Sequence, residues 1–350
     1  MNVGVLLPNW VGDVVMATPT LRALRRRFPS ATITGIARPY LLPLLDGTSW
    51  FSQAFPWEHH GRGWIGRTWR LVRQLRRERL DAVLVLRNSG FAAGIARLSR
   101  ARQVVGYARR ASRLFLTKSL EAPREGGHFT PISAVDYYLD LAYALGCEEE
   151  PRRLELPVTD ADQAAADAVW ESLDLPDPRE VVLLNIGGAY GNAKHWPREH
   201  SIELSRRLAG DFGLTVLVLC GPGERADAAS LAAAANHPRV LSLADEDVRF
   251  GPTKSIIQRA RLLVSTDSGP RHIAAAVGTP TITLFGPIDP RWSENYQPGA
   301  VHLHLPLECS PCGRRVCPLG HHRCMRDLTP ELVLQAVERQ LTPRPIRQVA

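Results

Sequence analysis

The chain has 350 residues, 45% of them hydrophobic, with ordinary glycine and proline usage and a net charge of +8. That length exceeds one ordinary core and predicts a soluble globular protein of two domains. No apolar run approaches the roughly 20 residues that span a bilayer. The opening MNVGVLLPNW lacks the basic region of a signal peptide, so the expected location is the cytoplasm.

The charge is uneven. Residues 1–125 carry 21 Lys and Arg against 7 Asp and Glu, a net of +14, while the remainder is net −6. A basic first half predicts an anionic partner: nucleic acid, anionic lipid or a phosphorylated small molecule. No recognised nucleic-acid motif is present, so a nucleic-acid partner is not the expectation.

In chain order, Val3 to Leu7 reads as a first buried strand. A loop, PNWVG, leads to a helix from Asp13 to about Phe28 with Val14, Val15, Leu21 and Leu24 inward. Asp13 lies just beyond the strand's carboxyl end, where open α/β sheets bind ligands, and an N-cap also explains it. Gly12 predicts a tight turn before it. Ile33 to Ile36 is a second strand. Residues 57–79 interleave Trp57, Trp64 and Trp69 with seven arginines from Arg62 to Arg79, the second half helical with Leu71, Val72 and Leu75 inward. Such a pattern suits phosphates, a lipid headgroup layer or a solvated amphipathic helix. Ala82 to Leu86 is a strand ending at Arg87-Asn88-Ser89, and a helix follows at 132–145. The polar, proline-containing stretch 148–178 reads as the inter-domain connection.

The alternation then restarts. Val181 to Ile186 is a strand, followed by GGAYGNAKHWP, a helix at 198–212 and a strand at 215–220 leading into Gly221-Pro222-Gly223-Glu224. The glycine loop ending in Lys194 is not a P-loop, since Gly-Lys-Ser/Thr is missing, but it places a cation and amides at a strand end. The stretch VSTDSGPRHIAAAVGTPTITLFGP reads as strand, polar turn, helix and strand, half of a nucleotide-binding unit. Its turn exposes helix N-terminal amides to an anion, with Ser268 as a candidate cap and Gly269 allowing close approach. A helix at 330–341 closes the chain. Repeated strand–helix units predict two doubly wound parallel sheets facing across a cleft. The expected domains are 1–160, a linker at 161–180, 181–328, and a C-terminal helix and tail at 329–350.

Cys309, Cys312, Cys317 and Cys324, with His321 and His322 among them, favour a structural zinc or iron–sulfur site over disulfides in a cytoplasmic protein; reduced, unliganded thiols are the alternative. Four thiolates leave no open coordination position, so the quartet is not expected in catalysis. Asp245-Glu246-Asp247 resembles an acidic triplet that holds a divalent ion in some transferases, but no strand leads into it.

PNWVGDVVMATPTLRALRRRFP, GGAYGNAKHWP and STDSGPRHIAAAVGTPTITLFGP, in this order, resemble the ADP-heptose:lipopolysaccharide heptosyltransferases, glycosyltransferase family nine. The Asn-Trp-Val-Gly-Asp form most resembles the heptosyltransferase II branch, and the resemblance covers residues 1–341. It implies the GT-B fold and inverting transfer of L-glycero-D-manno-heptose from ADP-heptose to the heptose/Kdo inner core of lipopolysaccharide, without a metal. By the same resemblance Asp13 is the base and Lys194, with Ser268 and Gly269, steadies the leaving diphosphate. Asp267 would bind heptose hydroxyls, His272 the phosphates and Glu224 the ribose, with Gly188 in the donor loop. Asn9, Arg62 and Asn88 fall to the acceptor, a Kdo-lipid A precursor met at the inner-membrane leaflet. Another step of the family (heptosyltransferase I or III) or another nucleotide sugar is the alternative.

Overall fold

The structure, a computed structural model, describes residues 1–188 and 190–342. The chain divides into two compact units: residues 1–159 with 291–296, and residues 160–290 with the segment from Gln297 onward. The boundary falls beside the expected one. The segment expected as a linker, 161–180, instead belongs to the second unit, because Lys254, fully buried, places its ammonium 3.2 Å from Asp162.

In the first unit the elements run β1 (Asn2–Leu6), α1 (Val11–Met16), α2 (Thr18–Arg27), β2 (Thr32–Ala37), β3 (Gln53–Pro56), α3 (Trp64–Arg77), β4 (Ala82–Val85), α4 (Gly90–Leu98), β5 (Gln103–Tyr107), β6 (Lys118–Leu120), the hairpin β7 (Arg124–Glu125) and β8 (His128–Phe129), and α5 (Ala134–Ala144). The main sheet has the order β3-β2-β1-β4-β5-β6, parallel throughout. Both faces of its centre are covered, since every residue of β4 is buried. On one face Leu6, Val83 and Val85 meet Leu71, Val72 and Leu75 of α3 and Ala92, Ile95 and Ala96 of α4. This is the pattern of a parallel sheet, whose strands read as near-continuous apolar runs.

The single helix expected from Asp13 to Phe28 is two. Pro19 has no N–H to offer the Val15 carbonyl, which instead accepts the Thr18 hydroxyl at 2.8 Å, and the helix restarts after Ala17.

The second unit runs α6 (Asp160–Ser172), β9 (Val181–Asn185), α7 (Arg198–Gly210), β10 (Thr215–Val218), α8 (Arg225–Ala235), β11 (Val240–Ser242), α9 (Phe250–Arg259), β12 (Leu262–Thr266), α10 (Gly269–Val277), β13 (Thr281–Phe285), β14 (Val301–His304), α11 (Arg323–Arg326) and α12 (Pro330–Leu341). Its sheet repeats the order of the first, β11-β10-β9-β12-β13-β14, again all parallel. Val182, Leu184, Val264, Ile282 and Leu284 pack against Leu204 and Leu208 of α7 and Val333, Leu334 and Val337 of α12. The C-terminal helix therefore completes the second core rather than standing apart.

In each sheet the strand order reverses between the first and fourth strands of the unit, β1 and β4, and β9 and β12. Ligands of doubly wound sheets sit outside the carboxyl ends of the strands at such a switch point.

Candidate active site

Lys194 and Asp267 each follow one of the two strands that flank the second switch point. The Lys194 ammonium donates to the Asp267 carboxylate at 2.6 Å and to the Asp267 carbonyl at 2.9 Å, and it lies 4.7 Å from the centre of the Tyr190 ring. Arg271, one helical turn beyond Asp267, donates to the other carboxylate oxygen at 3.2 Å. It is fully buried, with its guanidinium 5.0 Å from the centre of the Phe285 ring. Burial alone would raise the Asp267 carboxyl; Lys194, then Arg271 and His272, outweigh it and hold it well below the usual carboxylate range. Asp267 thus joins two cations, Lys194 and Arg271.

Asn185, the last residue of β9, donates to the hydroxyls of Ser268 at 2.8 Å and Ser265 at 3.1 Å, and the Thr266 hydroxyl donates to the Gly187 carbonyl at 2.7 Å. These bonds tie the loop after β9 to the loop after β12. They also correct the expectation for Ser268. It occupies the N-cap position of α10, but its hydroxyl engages Asn185 and the Thr266 carbonyl and does not cap. The α10 helix begins at Gly269 with Pro270 in its first turn and stops at Gly278, whose φ of 89° is the left-handed C-cap conformation that glycine adopts without strain.

Three other residues expected on the donor side have these surroundings. His272 is 3% exposed with no hydrogen-bond partner at Nδ1, and burial, then the charge of Arg271, pushes its imidazole well below its usual range. It is buried beside Arg271 in the core of the second unit. At Gly188 a side chain would make only ordinary contact with Ser268, 3.4 Å away, whereas at Gly191 (φ 150°) it would strike the Arg315 carbonyl at 2.6 Å. The glycine the backbone demands is therefore Gly191. Glu224 accepts from the Gly221 N–H at 2.9 Å and closes its own turn, with its second oxygen toward Gly187.

In the first unit Asp13 and Asn88 likewise follow the two strands at the switch point, β1 and β4. Asp13 is not an N-cap: Trp10 holds that place, and Asp13 is the third residue of α1, with Gly12 inside the helix rather than in a left-handed turn. Burial, then the charge of Asp13, pushes the hydroxyl of Tyr138, a buried residue of α5, well above its usual range. Asn88 accepts from the Tyr137 hydroxyl at 2.7 Å, and the Tyr137 ring stacks on Tyr107 with centroids 3.6 Å apart. Asn9 gives its carbonyl to the Tyr40 hydroxyl at 2.5 Å. Arg62 is exposed, and its carbonyl accepts from Arg67 at 2.8 Å.

A cationic group missed in the sequence lies at the same carboxyl edge. Arg87, after β4, meets His59 Nε2 at 2.7 Å and covers the Trp57 ring at 5.3 Å. Burial, then Arg38, lowers its pKa to about 10. Burial, then Arg87, His60 and Arg38, lowers that of His59 to about 4. Like charges crowded together depress each other in this way, and an anion arriving there relieves them.

The six cysteines are free thiols. Cys309, Cys312, Cys317 and Cys324 line one small pocket with His321 and His322, and the His322 amide donates to the Cys317 sulfur at 3.4 Å. Among the described residues no three His, Cys, Asp or Glu side chains are placed to hold a metal ion. The quartet takes no part in the transfer chemistry. In the acidic triplet Asp247 pairs with Arg249 and Glu246 accepts from Ser172, so neither is arranged around a cation.

Residues 68–323 match the family pattern described as Glycosyltransferase family 9 (heptosyltransferase). The chain belongs to glycosyltransferase family 9. It is a glycosyltransferase by that membership, and its two parallel-sheet units are those of the GT-B heptosyltransferases. It is 27% identical to the lipopolysaccharide heptosyltransferase 2 of Salmonella typhimurium over 349 residues, covering 98% of this chain and 99% of that one. Among solved structures it superposes on the Escherichia coli ADP-heptose lipopolysaccharide heptosyltransferase II with a TM-score of 0.79 at 26% identity, covering 97% and 98% of the two chains. A family 9 glycosyl transferase from Veillonella parvula gives a TM-score of 0.85 at 22% identity, with 97% of each chain covered, a likeness of fold. No helix among the described residues is long and apolar enough to cross a membrane.

Proposed function

We propose that this family 9 enzyme transfers L-glycero-D-manno-heptose, with inversion, from ADP-heptose to the heptose/Kdo inner core of a lipopolysaccharide precursor, as a heptosyltransferase II. The observation that carries the reading is the Lys194–Asp267 pair at the second switch point, beside the N-terminus of α10. A cation and helix amides there suit a departing diphosphate, and a buried carboxylate suits sugar hydroxyls. Full-length similarity to relatives named lipopolysaccharide heptosyltransferase 2 supports the same choice of donor and acceptor.

In this reading the acceptor oxygen forms a bond to the anomeric carbon as the bond to the ADP oxygen breaks. The hydroxyl proton passes to Asp13, and the electron pair leaves on the diphosphate beside Lys194. A carboxylate serves as the base because the hydroxyl turns acidic only late, in an oxocarbenium-like transition state. In this reading the neighbouring Tyr138 hydroxyl donates to that carboxylate and aims it. The first unit takes the acceptor at the inner-membrane leaflet, with Arg38, Arg87 and the neighbouring histidines matching its carboxylates and phosphates.

The test is transfer from ADP-heptose to truncated lipopolysaccharide acceptors of graded length, with ADP, UDP and GDP as competitors. Asp13→Ala is expected to abolish transfer and keep donor binding. Retained turnover in that variant removes the proposed base, and equal competition by UDP or GDP removes the donor.

A further inference from the structure

The first unit carries a surface that the transfer chemistry does not use. Between Arg62 and Lys118 the sequence holds fourteen arginines and that lysine against only Glu78 and Asp81. On α3 the buried face is Thr68, Leu71, Val72 and Leu75. The opposite face carries Ile65, 57% exposed, and Trp69, 48% exposed, among the exposed Arg70, Arg73 and Arg77. No acidic residue lies on this helix.

The surface extends over the neighbouring elements. Trp64 meets Phe91 of α4 edge-on at 5.7 Å, Arg76 donates to the Leu98 carbonyl at 2.9 Å, and the Phe115 ring reaches Gly94 of α4. Elements α3, α4 and the 3-10 turn at residues 110–115 therefore lie side by side. They add three more exposed apolar side chains, Phe91, Leu98 and, at 83% exposure, Leu114, together with exposed Arg97 and Arg100.

We propose that the outer face of α3, continued over α4 and the 110–115 turn, docks on an anionic phospholipid surface, Ile65, Trp69 and Leu114 entering the interface while the arginines meet phosphate headgroups. The proposal rests on the reading that the acceptor is lipid-borne, and it adds which face of the chain meets the lipid. Two features select lipid over nucleic acid. Exposed aliphatic side chains gain nothing from a phosphodiester backbone but partition into the headgroup–acyl boundary, and tryptophan favours that same depth. The arginines carry apolar stems that lie along the interface while their heads stay at the phosphates. Their charge is also not consumed within the protein: among the described residues Arg70, Arg73, Arg77 and Arg97 have neither an ion pair nor a side-chain hydrogen bond. Each arginine at an anionic surface strengthens binding roughly fivefold, an effect that salt screens.

The experiment is co-flotation of the full chain with phosphatidylcholine vesicles, with and without phosphatidylglycerol, at low and high salt. Binding is expected only with phosphatidylglycerol and is expected to weaken with salt. Ile65→Ser combined with Trp69→Ser should lower it about tenfold or more, and Arg70→Gln, Arg73→Gln and Arg77→Gln together by about a hundredfold, from roughly fivefold per arginine. Circular dichroism verifies that the variants are folded. Transfer to a soluble, delipidated acceptor should be unchanged in them, which separates failure of the docking surface from failure of the proposed activity. No binding to phosphatidylglycerol vesicles overturns the proposal. So does double-stranded DNA binding of equal strength that survives the Ile65 and Trp69 changes, which would mark the face as a nucleic-acid surface.

Discussion

Asp267→Ala isolates the ion cluster at the second switch point. The Asp267 side chain is 6% exposed and accepts from Lys194, 12% exposed, and Arg271, 1% exposed. Removing one partner of a buried ion pair costs about 3–5 kcal/mol, because the remaining charge keeps its desolvation penalty. The two cations do not share the loss equally. The Lys194 ammonium already lies over the Tyr190 ring and can turn toward water, whereas Arg271 is held beneath Phe285. Most of the cost therefore falls on Arg271, and urea unfolding at pH 7 should show a loss of about 4 kcal/mol in the transition of the second unit. Adding Arg271→Met should return half of it or more, since the stranded charge is then gone. The pH dependence has a fixed sign. The folded Asp267 carboxyl is held far below its unfolded value of about 3.9, so its contribution is complete above that pH and declines as the pH falls below it. The gap between wild type and variant should accordingly narrow below about pH 4. A single variant within about 1 kcal/mol of wild type at pH 7, or a double variant weaker than the single one, refutes the reasoning.

Three further outcomes follow from the geometry. Tyr138→Phe removes the hydroxyl proposed to donate to the Asp13 carboxylate, so kcat should fall about tenfold and the acid limb of its pH profile should move upward, with KM for ADP-heptose little changed; an unmoved acid limb would reduce Tyr138 to a packing residue. His59 should titrate near about 4 by NMR in the free protein and move upward when a carboxylate or phosphate ligand neutralises Arg38 and Arg87, the direction its depressing neighbours dictate. Thiol titration in denaturant with a chelator should count six cysteines, four of them lost in the variant with Cys309, Cys312, Cys317 and Cys324 changed to serine; a lower count in the wild-type chain would reveal a disulfide.

What was legible in the sequence follows from where each element sits. The strands at the two switch points, β1, β4, β9 and β12, are buried on both faces and write themselves as runs such as VGVL or VVLL, so the strand ends that Asp13, Asn88, Lys194 and Asp267 follow were legible. The strands β3 and β14 at the sheet edges are half exposed and short, and residues 53–56 and 301–304 carry no continuous apolar run. Strand β5 was hidden by the arginines around it. The Asp267–Arg271 pair was readable as an i,i+4 spacing. The Lys194–Asp267 and Tyr138–Asp13 contacts were not, because their partners lie 73 and 125 residues apart and are joined only by the strand order. His272 shows the opposite failure. A histidine after a helix start invites a phosphate role, yet the packing of α10 against β12 and β13 turns it inward.

The two units share one topology and place opposite chemistry at its switch point. After β1 and β4 stand a carboxylate and an amide, Asp13 and Asn88, with Arg38, Arg87 and His59 at the same carboxyl edge. After β9 and β12 stand a lysine and an aspartate already paired with each other, beside the amides of a helix start. In the proposed reaction a carboxylate at this edge takes a proton from a hydroxyl on an anionic sugar, while the cations at the same edge hold the sugar's own charges. In the same proposal a lysine tethered by aspartate holds the departing diphosphate beside the sugar whose hydroxyls that aspartate takes. The proposed division of labour between acceptor and donor follows which charge each copy of the fold puts at its strand ends. Lys194→Ala, which leaves Asp267 paired with Arg271, takes away the cation where the leaving group gathers its negative charge, and transfer should be lost while the second unit stays folded.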